Sequence, residues 1–171
     1  MIVCGMLGAP VMLDAAQAGS HALRCRNYWQ NSVNPAELLA LVSGLEWPPG
    51  LLVSDIMEPS RYVSEVSRTD QQPFFTAKVK GELRSCFPTL VAYSMSRAFR
   101  DEGAGCVYDT NPGIQSEKRW TEPNPGEREL ALGYRIGITA APGVTLAERH
   151  TITGNCMDQR ALRALVGGAK T

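Results

Sequence analysis

Short apolar runs alternate with polar breaks along this chain, and clear helical periodicity is confined to a few stretches. The first run, "PVMLDA" from Pro10 to Ala15, is apolar without alternation and ends in an acid, which predicts a buried parallel strand. The apolar residues before it read as the end of a buried helix. A second extended piece, "RNYWQN", follows closely and predicts a strand over Cys25–Asn31 beside the first. "NPAELLALVSGL" predicts a helix with Asn34 as cap, Pro35 in the first position and Gly44 as breaker. From Trp47 to Lys118 the pattern is broken by Pro, Gly and Ser. Its best strand is "FPTLVAYS", and "GCVYDTNPG" predicts a strand entering a turn. Trp47, before two prolines, reads as a packing residue.

The last third is more regular. "NPGERELALGY" predicts a helix capped by Asn124, with Pro125 first and Gly133 last. "TLAERHTITGNCM" opens on a capping box, Thr145 with Glu148, and Leu146, Ile152 and Met157 supply its apolar stripe. "DQRALRALV" predicts a short helix capped by Asp158, with Arg160 and Arg163 on its solvated side and "GGAKT" as a frayed tail.

Charge adds little. Lys+Arg and Asp+Glu are 17 each, so a polyanionic partner would have to find a local patch. Between Asn27 and Trp120 there are nine basic and eleven acidic side chains. The five cysteines form no CxxC pair, which argues against zinc and for a reduced compartment. The N-terminal apolar stretch has no basic flank and reaches an acid at Asp14, so neither a leader nor a membrane anchor is expected.

The sharpest chemistry lies in "AGSHALRCRNYWQN". In an extended chain Arg24 and Arg26 point to one face. Either they converge on one acceptor-rich ligand, or they are a strand end with surface ion pairs. Cys25 between them reads as a small buried hydrophobe on the opposite face. His21 and His150 have no metal-ligand spacing and read as loop and helix-surface residues.

Three blocks together resemble the C-terminal part of the DNA (cytosine-5) methyltransferases. "LDAAQAGSHALRCRNYWQN" resembles the family's Arg-x-Arg block, closest to the de novo branch, with Ala22 where the usual Gln stands. "PNPGERELALGYRIGIT" resembles the next block, with Glu127, Gly133 and Tyr134 in place and Gly126 for the usual Arg. "LAERHTITGNCMD" resembles the last, with Gly154 and Asn155 opening a final helix. Together they cover about a third of the chain. The chain also resembles short reading frames associated with retroelements.

The resemblance implies an α/β fold: the end of a methyltransferase-type mixed sheet with C-terminal helices, plus a small irregular α+β recognition lobe. It divides the chain into residues 1–31 (sheet end with the Arg-x-Arg block), 32–120 (target-recognition-like lobe) and 121–171 (helices returning to the core). It implies double-stranded DNA as partner, S-adenosyl-L-methionine as cofactor and a nuclear location. Arg26 would face the O2 of a flipped cytosine, and Arg24 would brace the loop that carries the nucleophile. Asn155 and Cys156 would lie near the cofactor, and Glu127, Gly133, Tyr134 and Gly154 would be family-motif positions. The family's reaction also needs a Pro-Cys nucleophile, a Glu-Asn-Val tripeptide and a glycine-rich cofactor loop. None of the eleven prolines here precedes a cysteine, and neither other motif occurs. The expectation is a target-recognition part that is inactive alone and completed by a catalytic half in trans. The alternative is a non-enzymatic DNA-binding or scaffold remnant of a mobile element.

Overall fold

The computed structural model describes residues 8–29, 34–44, 52–63, 76–79, 82–87, 89–90, 92, 107–113 and 120–167. The expected helix end before Gly8, Asn31, Trp47, Cys4, Cys106 and the tail after Gly167 lie outside the described residues. The architecture is mixed α/β. Strands β1 (Val11–Asp14) and β2 (Cys25–Tyr28) form a ribbon. Strands β3 (Arg61–Val63), β6 (Val107–Asp109) and β7 (Trp120–Thr121) form a sheet in the order β3-β6-β7. Strands β4 (Thr76–Val79) and β5 (Glu82–Ser85) make a separate hairpin. Among the described residues the α-helices are α1 (Pro35–Gly44), α2 (Pro125–Ala131), α3 (Leu146–Asn155) and α4 (Gln159–Gly167).

β1 is a strand as expected, but its partner runs antiparallel, with Val11 opposite Tyr28 and Leu13 opposite Arg26. The connection explains the correction. A 3-10 turn over Ala15–Ala18 and a left-handed Gly19 (φ 87°) return the chain at once, whereas a parallel pair needs a crossover of a dozen or more residues. The acid that ends β1 builds this return. Asp14 Oδ1 accepts from the amides of Ala16 (3.0 Å) and Arg24 (2.9 Å), and Gln17 Oε1 accepts from Asp14 N (3.1 Å).

The four described α-helices start where their caps predict. Asn34 Oδ1 accepts from Ala36 N, Asn124 Oδ1 from Glu127 N, Thr145 Oγ1 from Glu148 N, and Asp158 Oδ1 from the amides of Arg160 and Ala161. At the C-terminus of α2, Tyr134 N donates to Glu129 O (2.8 Å) and Gly133 N to Leu130 O (2.9 Å), the paired bonds of a Schellman ending. Gly133 sits at φ +82°, and a Cβ there would lie 3.0 Å from Arg160 Cγ. Gly133→Ala is therefore expected to destabilise by about 1–2 kcal/mol. A lowered urea midpoint with an unchanged slope is the readout.

The two larger apolar clusters among the described residues join the β1–β2 ribbon to the helices and to the middle of the chain. One packs Val11, Leu13 and Ala15 against Leu38 and Val42 of α1 and Ala161 and Leu165 of α4, both pairs at i,i+4 spacing. The other gathers Ala22, Val53, Ile56, Phe87, Leu90, Val107, Ala131 and Leu132. It draws on all three segments of the sequence-based division.

Two expectations need correction here. "FPTLVAYS" is not a strand where described: Phe87 makes a single bridge to Ala22, Thr89 and Leu90 carry no strand pairing, and Ala92 is a bend. Its apolar residues instead plug the core from a loop. The expected stripe of α3 is exposed at Leu146 (68%) and Ile152 (43%), as is Met157 just beyond the helix (47%). Thr153 and Gly154 are the buried residues of α3, so its C-terminal turn packs through small side chains.

Candidate functional site

Arg24 and Arg26, and 130 positions beyond Arg24 the run Gly154, Asn155 and Cys156, line one pocket of about 200 Å³. Asn27, Tyr28 and Met157 complete its lining. One wall comes from β2 and the residue before it; the other is the last turn of α3 and the link to α4.

The two arginines differ in kind. Arg24 is buried, and its guanidinium spans the site: Nη1 donates to Leu90 O (3.2 Å) and Nη2 to Gly154 O (2.7 Å). Burial, and then the charge of Arg26, lower its pKa from the ordinary value. Arg26 is exposed, and its one hydrogen bond among the described residues goes to the adjacent Cys25 carbonyl (2.8 Å). Of five guanidinium N–H donors, four are thus left over. Burial raises the Tyr28 phenol.

The opposite wall is fixed residue by residue. Cys156 N donates to Ile152 O (2.8 Å), and Tyr134 Oη donates to Met157 O (2.7 Å). Asp158, fully buried, binds Ser20 Oγ at 2.6 Å while it caps α4. Ser20 Oγ lies 2.8 Å from Ala131 O, so one hydroxyl ties β1–β2, α2 and α4 together. Burial raises the Asp158 carboxyl above the usual range. The Cys156 thiol is raised by burial too, against the pull of Arg24, and its Sγ donates to Thr153 O (3.3 Å). A raised thiol is a poor nucleophile near neutral pH.

The remaining motif residues lie off the pocket. Glu127 is buried under the α2 N-terminus, closes its capping box and pairs with Arg61 Nε at 2.8 Å. Gly133 terminates α2, and Tyr134 holds the pocket wall by donating to the Met157 carbonyl. Gly154 and Asn155 close α3 rather than open the final helix, which begins at Gln159 behind the Asp158 cap. Cys25 is exposed, not buried, because the outer face of the ribbon (Met12, Cys25, Asn27) carries no covering layer among the described residues.

His21 and Arg160 also depart from expectation. His21 is 2% exposed and its Nδ1 accepts from Arg160 Nη1 (2.8 Å). The same Arg160 nitrogen donates to the Gly19 carbonyl. Arg160 is thus half-buried at the ribbon turn and not solvated. His150, half-buried, lies with its Nδ1 2.9 Å from Arg128 Nη1. Sequence reasoning missed Arg61 and Ser20 altogether. The only local signal was an arginine opening a strand and a serine following Gly19.

Among the described residues no cluster of three or more His, Cys, Asp or Glu could hold a metal, and no helix is long and apolar enough to cross a membrane. No protein-family model and no curated protein matches the chain.

Proposed function

We propose that this chain is the C-terminal, target-recognition part of a DNA (cytosine-5) methyltransferase, and that its pocket receives a cytosine turned out of the duplex. The observation that carries the reading is the meeting of Arg24 and Arg26 with Gly154, Asn155 and Cys156 around one pocket, across 130 positions of sequence. Arg24, spent on two carbonyls, is the brace. Arg26 keeps its donors for a ligand.

A flipped base loses stacking and pairing and must regain hydrogen bonds inside a pocket. When a nucleophile adds to C6, electron density rises on the O2 of the ring. A preorganised guanidinium beside O2 stabilises that charge without changing its own protonation state. The nucleophile itself must come from polypeptide beyond these 171 residues, since no Pro-Cys pair occurs. The methyltransferase-type arrangement of the sheet is part of the same proposal.

S-adenosyl-L-methionine does not fit this pocket by itself. Sites for ligands of that size are typically ~300–1,000 Å³. Its sulfonium and ammonium groups would face two arginines, with no carboxylate among the described lining residues. Asn155 and Cys156 therefore serve the cofactor only if further residues extend the site.

The test is complementation with the catalytic half of a related enzyme on duplex DNA. The chain alone is expected to incorporate no methyl label. In the complemented assay Arg26→Ala should lose about ten- to a hundredfold in turnover, the equivalent of a charge-assisted hydrogen bond of ~1.5–3 kcal/mol. Arg26→Lys should rescue poorly, because an ammonium cannot copy the fork. Arg163→Ala, on the exposed side of α4, should behave as wild type. Equal losses at Arg26 and Arg163 would favour the scaffold alternative.

A further inference from the structure

Between α2 and α3 one nitrogen faces two groups of opposite charge. His150 sits on the second turn of α3. Its Nδ1 lies 2.9 Å from Arg128 Nη1 of α2 and 3.5 Å from Glu122 Oε2, on the link between β7 and α2. Arg128 Nη1 and Glu122 Oε2 are themselves 3.8 Å apart. The three atoms form a triangle of one cation, one anion and one nitrogen that titrates.

A guanidinium can only donate. With Arg128 at hydrogen-bond distance, Nδ1 must present its lone pair, so the neutral ring carries its proton on Nε2. From Nδ1 that ring has nothing to offer Glu122. A proton on Nδ1 inverts both relations. The nitrogen becomes a donor, Arg128 becomes a like charge, and Glu122 becomes an acceptor of opposite charge. The remaining charge that acts on the ring is Arg149, its neighbour on α3, which is itself held by Glu129 and Thr139. Burial, and then Arg128, hold the ring's pKa below its ordinary 6.5, with a smaller push from Arg149, while Glu122 pulls the other way.

We propose that His150 is a proton-operated selector: neutral, it ties α3 to Arg128 of α2; protonated, it leaves Arg128 and ties α3 to Glu122. The side chains of Arg128, His150 and Glu122 are 1%, 15% and 17% exposed. Salt therefore screens the triangle far less than it would a surface pair, and a solvent proton still reaches the ring. The exchange is distinct from acid unfolding, because α3 keeps a partner in both states.

The experiment is long-range proton–nitrogen NMR of the whole chain across a pH titration. The sequence has two histidines, so two imidazoles appear, and His21→Asn assigns them. Above pH 6.5 the His150 ring should carry its proton on Nε2, with Nδ1 bare. Below it Nδ1 should gain a proton that persists against solvent exchange because Glu122 holds it. Glu122→Gln, which keeps the shape and removes the charge, should move this titration to lower pH. Glu37→Gln, at an exposed acid of α1, should leave it in place. The backbone amides of α3 should stay protected from hydrogen exchange while His150 takes its proton. A neutral ring protonated on Nδ1 would overturn the proposal, since Glu122 would then be the partner before any titration. A titration indifferent to Glu122→Gln would do so too, as would loss of α3 amide protection in step with protonation. The tautomer and the amide protection are both read in the wild-type chain, so the test does not depend on any variant folding.

Discussion

Arg61→Ala is expected to cost about 3–5 kcal/mol of folding stability, the range for removing one partner of a buried ion pair. Arg61 opens β3, and its side chain is 7% exposed. Nε and Nη2 grip the two oxygens of Glu127 at 2.8 and 3.2 Å, Nη1 reaches Asp109 at 3.1 Å, and Nη2 also donates to the Glu122 carbonyl at 2.9 Å. Burial works against the guanidinium charge, but bonds to Glu127 and Asp109 outweigh it and raise its pKa. Truncation would remove the guanidinium that joins two carboxylates, one of them 1% exposed. Arg61→Lys should recover only part of the loss, since one ammonium cannot serve four acceptors in a plane. Denaturant midpoints give the comparison. Placing Arg61→Ala in a Glu127→Gln background should cost clearly less than in wild type. An effect below about 1 kcal/mol, as at a surface pair, would show that the network is not the tie between β3 and α2.

The second large effect is acid lability centred on His21. Burial, and then the charge of Arg160, lower its pKa from 6.5 to about 4. The neutral ring is the folded form, because Nδ1 must accept from Arg160. In the unfolded chain the ring takes a proton near pH 6.5; in the folded chain it does so only near pH 4. Its contribution to stability is therefore complete above pH 6.5 and falls away as the pH drops toward 4. The shift corresponds to roughly 3 kcal/mol over that window. His150 is lowered in the same sense, by burial and then Arg128, and adds to the slope. Asp158 has the opposite sign: its raised carboxyl favours the folded state at low pH and that contribution is lost as the pH rises. His21→Asn keeps an acceptor for Arg160 without titrating in this range. It should flatten the decline of thermal stability between pH 6.5 and 4, whereas an unchanged profile would place the acid sensitivity elsewhere.

What the sequence made legible was whatever is decided within a few residues. Asn34, Asn124, Thr145 and Asp158 each satisfy an amide two or three positions on, so the helix starts could be read directly. Gly133 could be read for the same reason, since a positive φ is a local demand. The direction of β2 could not, because it depends on how Asp14 and Gly19 fold the return. Nor could the buried polar contacts: Arg61 meets Glu127 across 66 positions, and His21 meets Arg160 across 139. Periodicity assigned Arg160 to a wet face because it ignores the turn that arrives there from the other end of the chain. The pocket's two walls were named together only through resemblance; no local rule links Arg24 to Gly154.

That separation bears on how the protein is made. The bond from Arg24 to Gly154 closes 130 positions, against 10 for the bond from the Arg24 amide to Asp14. Loop-closure entropy puts the longer closure roughly 2 kcal/mol above the shorter. A ribosome releases the Asp14 return about 130 residues before it releases Gly154. Until then Arg24, destined for burial, waits as a hydrated strand-end arginine.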